Sequence, residues 1–183
     1  MVAFKQDRTA VMKSGNLAHI TVKKLDISDI HKMSGIFVNI HNENFSGKVK
    51  EEYFLNIFLN AQYESYILAK EPEAEETDYE IKGYAIFYDT VDGVDLFEIA
   101  VEKKSQNRGM GKKLLNESME LLFDGERYFH RSPECKKVLL EVEENNKAAI
   151  RLYENSGFGK ISLRRDYYGK NKHCIVMEKY MIL

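Results

Sequence analysis

Gln106-Asn107-Arg108-Gly109-Met110-Gly111-Lys112 joins two unlike stretches of the chain. Upstream, Leu96-Phe97-Glu98-Ile99-Ala100-Val101 is short and mostly apolar, which reads as a strand; downstream, Leu114, Leu115, Met119 and Leu122 recur at helical spacing. Gly109 and Gly111 remove side chains where the chain turns into the helix, so that consecutive backbone N–H groups can close on an anion. The unpaired amides and the dipole of the helix N-terminus add to that attraction. The glycines are too closely spaced for a GxxxxGKS or GxxxxGKT phosphate loop, and the first glycine of a dinucleotide-binding GxGxxG is missing. Two readings are left, a pyrophosphate cradle of a third kind or a plain tight turn.

The rest of the composition sets the frame for that junction. With 183 residues, 44% of them hydrophobic, the chain can bury one good core and reads as one domain over residues 18–183 behind a polar lead at 1–17. A net charge of −2 argues against a dedicated nucleic-acid binder, for which a basic domain is expected. Cys135 and Cys174 are too few for a disulfide framework and form no CxxC, which fits a reduced, cytoplasmic protein. The lead has no apolar leader run and no stretch of about 18 apolar residues occurs, so no membrane is expected. The five histidines and two cysteines show no metal-ligand spacing, and no metal is expected. Nothing in the sequence chooses between monomer and homodimer.

Working outward from the junction, periodicity gives the order β-α-α-β-β-β-α-β-α-β-β. Residues Ala18 to Lys23 alternate as a first strand; Asp26 or Ser28 caps a helix with Ile30, Met33, Phe37 and Ile40 on one face; Glu51 to Asn60 is a second helix. Strands follow at Ser65–Ala69 and Glu80–Tyr88, separated by a solvated acidic loop from Glu71 to Asp78. Asp92-Gly93 marks a hairpin turn before the Leu96–Val101 strand. The helix from Arg108 to about Phe123 leads through a polar connection containing Pro133 to the strand Lys137–Val142. Asn145 or Asn146 opens a helix over Lys147 to Asn155 that Gly157 ends, and two strands, Gly159–Asp166 and Cys174–Tyr180, close the chain.

This order, with the glycine turn after the fourth strand, resembles the GCN5-related N-acetyltransferase (GNAT) family, in which a Gln/Arg-x-x-Gly-x-Gly/Ala turn binds the pyrophosphate of acetyl-coenzyme A. The segment from Leu140 to Phe158, LEVEENNKAAIRLYENSGF, resembles the same family's LEV-x3-N-x2-A-x2-LY-x3-GF block, and Arg164-Arg165-Asp166-Tyr167-Tyr168 is similar to the Arg-Arg-x-Tyr-Tyr stretch of its RimI-type subset, which acetylates the N-terminal alanine of a ribosomal protein. The likeness is dense from Leu96 to Met177 and thin before it. It implies a single-domain α/β (α+β) GNAT fold: a mixed, mostly antiparallel seven-stranded sheet flanked by about four helices and splayed between strands 4 and 5. It also implies acetyl transfer from acetyl-CoA to a peptide or protein N-terminus.

The resemblance assigns roles. Glu141 matches the base carboxylate of the RimI-type motif, acting directly or through a water on an α-amine whose pKa is about 8. Asp95 and Glu98 compete for that role; three residues apart on a strand, they are expected on opposite faces. Tyr153 stands where the family's tyrosine approaches the cofactor sulfur as an acid, although a tyrosine on a helix face also serves as core. Ile99, Ala100 and Val101 are expected to pair with the pantetheine arm and to supply the oxyanion donor. Gln106, Asn107, Arg108, Gly109, Met110, Gly111 and Lys112 are expected around the pyrophosphate. Asn146 is expected both to cap its helix and to hold the pantetheine. Tyr167 and Tyr168 either hold the backbone of an entering peptide or pack on each other as an exposed hairpin. His173 is expected to be structural or solvent-facing and not catalytic.

Two departures from the family pattern bear on the acceptor: a short basic loop, Gly169 to His173, and Ser46-Gly47-Lys48 where proline and tryptophan are usual. They keep open a small amine such as a polyamine, an amino acid or an aminoglycoside as acceptor. An acyl-CoA-binding module with little turnover is a third reading, against which the presence of both Glu141 and Tyr153 argues.

Overall fold

A computed structural model describes residues 19–71, 79–91, 93–124 and 137–181. The expected lead, the acidic loop beyond Glu71, Asp92, and the connection with Pro133 and Cys135 lie outside the described residues. The elements appear in the expected order: β1 (Ile20–Lys24), α1 (Ile30–Asn44), α2 (Glu51–Phe58), β2 (Tyr63–Lys70), β3 (Glu80–Thr90), β4 (Gly93–Val101), α3 (Met110–Asp124), β5 (Lys137–Glu143), α4 (Lys147–Glu154), β6 (Gly159–Arg164) and β7 (Cys174–Tyr180). Asp26 caps a short turn ahead of α1, its carboxylate accepting from the Ser28 N–H at 2.8 Å. The helix expected from Arg108 begins two residues later, at Met110.

The sheet runs in the order β1-β2-β3-β4-β5-β7-β6. All neighbours are antiparallel except β4 and β5, which pair in parallel only at Val94↔Val138 and Asp95↔Leu139. Beyond that point β4 continues to Val101 and β5 to Glu143 without pairing with each other, which is the expected splay.

Each face of the sheet carries its own apolar layer. On one side α3 and α4 cover it: Leu114, Leu115, Met119 and Tyr153 pack on Val94, Leu96, Val138 and Leu140. On the other side α1 and α2 bring Phe37 and Phe54 against Tyr84, Ile86 and Ala100. Phe37 stacks on Tyr84 with ring centroids 4.2 Å apart, and Phe54 meets both rings edge-on. These are fully buried aromatics, each with a large apolar area withdrawn from water, and they fix α1 and α2 against β3.

A bulge in β4 corrects one expectation. Ile86 pairs with Glu98 and Phe87 with Leu96, so Phe97 is an extra residue that is left without a partner on β3 and exposed. The inserted residue shifts the two-residue alternation by one. Asp95, opposite Tyr88, and Glu98, opposite Ile86, therefore share the α1–α2 face instead of pointing to opposite sides.

Candidate active site

The loop Gln106–Gly109 enters α3 through two left-handed residues, Asn107 at φ 59° and Gly109 at φ 78°. Only glycine takes the second position without strain, and a Cβ there would meet no atom within 4 Å, so conformation and not crowding requires it. At Gly111 the reason is different: a Cβ would sit 3.4 Å from Leu152, so the missing side chain lets α4 close on the start of α3. The first N–H groups of α3 have no carbonyl of their own helix to bind, and Arg108 and Lys112 stand exposed beside them. Backbone, dipole and two cations together suit an anion. Gln106 faces elsewhere: its amide donates to Asn44 Oδ1 at 2.7 Å and to the Val101 carbonyl at 2.9 Å, clipping the loop to the end of α1.

On β4, the Glu102 N–H donates to the Lys82 carbonyl of β3. By the alternation of an antiparallel pair, the backbone groups of Val101 and Ile99 then point away from β3, into the splay. The Val101 carbonyl already accepts from Asn44 and Gln106, which fills both lone pairs. The groups that the strand offers to a pantetheine arm are therefore those of Ile99 and the Val101 N–H; Ala100 turns its own toward β3.

Glu141 and Tyr153 flank the splay from opposite faces. Leu140 and Val142 belong to the α3–α4 layer, so Glu141 points to the α1–α2 face, a third of its side chain exposed. Arg164 donates to it from β6: Arg164 pairs with Cys174, two residues along from Val176, the partner of Glu141, and so shares its face. Tyr167 hydrogen-bonds the same carboxylate, and that bond, followed by the charge of Glu141, raises the pKa of the phenol. Asp95 lies on this face too, its pKa raised by burial and then by the charge of Glu141. Tyr153 is on the other side, 93% buried among the α3–α4 layer and edge-on to Phe158 at 6.0 Å. Its hydroxyl has no hydrogen-bond partner among the described residues, and burial pushes its pKa up to about 12. A phenol so held keeps its proton through the neutral and alkaline range.

Glu98, the second candidate base on β4, is committed elsewhere. His41 lies 2.9 Å from its Oε1, the Tyr84 hydroxyl donates to the same oxygen, and the Tyr53 hydroxyl reaches Oε2 at 3.4 Å. Sequence reading had no signal for His41: it sits on α1, 57 residues from Glu98. Asn146 caps α4, its Oδ1 accepting from the Ala149 N–H at 3.1 Å. Tyr167 and Tyr168 pack edge-on at 5.0 Å, as an aromatic hairpin would. The Tyr168 hydroxyl meets the buried Cys174 thiol. His173 is structural: its Nδ1 accepts from the Asp166 N–H at 3.0 Å. Among the described residues no group of three His, Cys, Asp or Glu side chains could hold a metal, and no helix is long and apolar enough to cross a membrane.

The model of the acetyltransferase (GNAT) family matches residues 35–158, which span the anion loop, the splay, Glu141 and Tyr153. The chain belongs to that family. It is an acyltransferase, with acetyl-CoA as cosubstrate. A ribosomal protein bS18-alanine N-acetyltransferase of Haemophilus influenzae is 32% identical over 126 residues, 67% of this chain and 77% of that protein. The crystal structure of the corresponding Escherichia coli enzyme superposes with a TM-score of 0.66 at 24% identity, over 90% of this chain and 96% of that one. A Vibrio cholerae spermidine N-acetyltransferase, crystallised with CoA and spermine, gives a TM-score of 0.65 at 16% identity, over 88% and 95% of the two chains. Both structures speak for the GNAT fold alone.

Proposed function

We propose that this acetyltransferase modifies the α-amine of a peptide or protein N-terminus, with Glu141 as base and Tyr153 as acid. The observation that carries the reading is the placement of the two residues on opposite faces of the β4–β5 splay. An amine entering from the α1–α2 side gives its proton toward Glu141, directly or through a water, and attacks the thioester carbon. The oxyanion that forms is stabilised by an N–H on the free edge of β4, at Ile99 or Val101. As the C–S bond breaks, the thiolate takes its proton from Tyr153 on the other face. Gly109, the amides of Met110, Gly111 and Lys112, and Arg108 hold the pyrophosphate, and Asn146 holds the pantetheine.

The α1–α2 connection and the β6–β7 hairpin with Tyr167 and Tyr168 wall the acceptor side. Such a wall suits an extended peptide whose backbone bonds the splayed strands. The Haemophilus relative, which acts on the alanine of ribosomal protein bS18, favours the same acceptor class and a cytoplasmic setting. One observation favours a polyamine instead: Asp95, Glu98 and Glu141 share the acceptor face. His41 bonds Glu98 and Arg164 bonds Glu141, however, and the charges of Lys137 and Arg164 already act on Asp95, which weakens the pull of this face on a second cation. The test compares a hexapeptide beginning with alanine, alanine amide and spermidine as acceptors, followed by thiol release. The hexapeptide is expected to be acetylated most efficiently; equal rates for the amide, or a preference for spermidine, would overturn the peptide reading.

A further inference from the structure

We propose that His41 is a positioning residue for the acceptor: by bonding Gly47 and Glu98 at once, it ties the α1–α2 connection, one wall of the acceptor cleft, to β4. The inference rests on the assignment of the Glu141 face as the acceptor side.

The ring is buried at 7% exposure, tilted on Phe45 at 4.7 Å, with Tyr53 and Phe54 each at 5.8 Å. Its Nε2 lies 2.9 Å from the Gly47 carbonyl, which can only accept, so Nε2 carries a hydrogen. Its Nδ1 lies 2.9 Å from Glu98 Oε1. A single hydrogen joins Nδ1 to that oxygen, so the ring bonds both partners at once. The other titratable groups that face this pair are the phenols of Tyr84 and Tyr53, both donors to Glu98; burial and the Glu98 charge raise their pKa values, so they stay neutral. Lys48, on the connection, donates to the carbonyls of Asn42 and Phe45.

The connection is gripped at two further points by the last turns of α1. Asn42 Oδ1 accepts from the Val49 N–H at 3.0 Å and its amide donates to the Val49 carbonyl at 3.2 Å; Lys48 folds back as described. Those grips hold the connection to its own helix. Asn44, at the end of α1, bonds the Val101 carbonyl of β4, and the His41–Glu98 bond adds a second tie to the same strand from the residue that also holds Gly47 of the connection. Both ring nitrogens are occupied in this way, so His41 acts through Gly47 and Glu98 and not on the reacting atoms. Loss of the ring would leave Glu98 buried with one partner fewer and the wall free to shift relative to Asp95 and Glu141.

The test is steady-state kinetics on His41→Phe, His41→Gln and His41→Asn, read with whichever of the hexapeptide and spermidine the parent enzyme uses better. His41→Phe is expected to raise the acceptor KM by about ten- to a hundredfold, the worth of one or two hydrogen bonds to charged groups. The KM for acetyl-CoA should hold within about twofold, and kcat should fall less than the acceptor affinity. Gln, which keeps a donor for Gly47, and Asn, which keeps one for Glu98, should each recover part of the loss. A folded His41→Phe enzyme with unchanged acceptor KM, or with the whole loss in kcat, overturns the proposal. Should His41→Phe not fold, the Gln and Asn variants decide by the same split. In the parent, adding acceptor should also move the His41 ring 15N resonances, and resonances that stay fixed at saturation count against it. A parent that prefers spermidine would defeat the peptide reading while leaving this split fully legible.

Discussion

The proposed donor side and the proposed acceptor side of this enzyme are built from different materials. The donor side is a loop, the first turn of α3 and the free edge of β4: backbone N–H groups, a left-handed glycine and two exposed cations within a few residues of one another along the chain. The acceptor side is made of side chains: His41 from α1, Tyr53 from α2 and Tyr84 from β3 bond Glu98 of β4, Arg164 of β6 bonds Glu141 of β5, and Asp95 of β4 shares their face. Backbone recognition suits a cosubstrate whose phosphate chemistry is fixed. Side-chain recognition leaves room for the acceptor to be chosen.

The chemistry between the two sides should be the most sensitive to change. Glu141→Gln is expected to lower the rate by about 10²–10⁴-fold near neutral pH and to recover partly in alkali, where the amine loses its proton unaided. Tyr153→Phe should cause a loss within the same range without alkaline recovery. Because burial holds the Tyr153 pKa near 12, the parent pH–rate profile should show no falling limb from this phenol below that region. An unchanged profile in Glu141→Gln would move the base role to Asp95 or a water, since Glu98 is taken up by three donors.

Next in size is the donor side. Gly109→Glu sets a left-handed non-glycine residue and a negative charge at the anion loop, and calorimetry should show CoA binding weakened by about a hundredfold or more. Gly109→Ala keeps the charge balance and should cost about 1–2 kcal/mol of backbone strain, read as a lowered Tm. If both variants bind CoA as the parent does, the cradle is elsewhere.

On the acceptor side, replacing both Tyr167 and Tyr168 with Ala should remove most of the advantage of a hexapeptide over alanine amide, a difference of about tenfold if one or two backbone hydrogen bonds are lost. Tyrosines that only pack on each other would leave that ratio unchanged. The smallest effect is expected at Asp95. Its folded pKa is raised, so its contribution to stability is fully present below its ordinary value of 3.8 and is lost as pH rises through the raised one. Asp95→Asn should therefore raise Tm at pH 7 and leave it unchanged near pH 3; a lower Tm at pH 7 would mean that the carboxylate has a partner worth more than its desolvation.

The two sides also differ in how far they can be read from residues alone. The order of the described elements follows from local pattern: helices buried on one side carry a period of about 3.6, and the central strands β2 and β3, buried on both faces, stand out as short apolar runs. Glu141 and Tyr153 are recoverable because they sit inside one contiguous block, Leu140 to Phe158. The faces of Asp95 and Glu98 are not: strict alternation separates them, and the extra residue Phe97, whose insertion depends on the register with β3, brings them together. Gln106 lies within the glycine turn, yet its amide is spent on Asn44 and Val101, a choice that no local pattern records.

By itself the sequence determined the order of elements, the glycine-led entry into α3 and the two residues proposed for proton transfer, since these depend on propensities and spacings that act over a few residues. The tertiary structure alone decided which carboxylates share a face, that Glu141 meets Arg164 and Tyr167, that Glu98 is held by three donors, and that His41 joins α1, its following loop and β4. Those relations come from register and from packing across the sheet, where partners as far as 57 residues apart meet only once the core has closed.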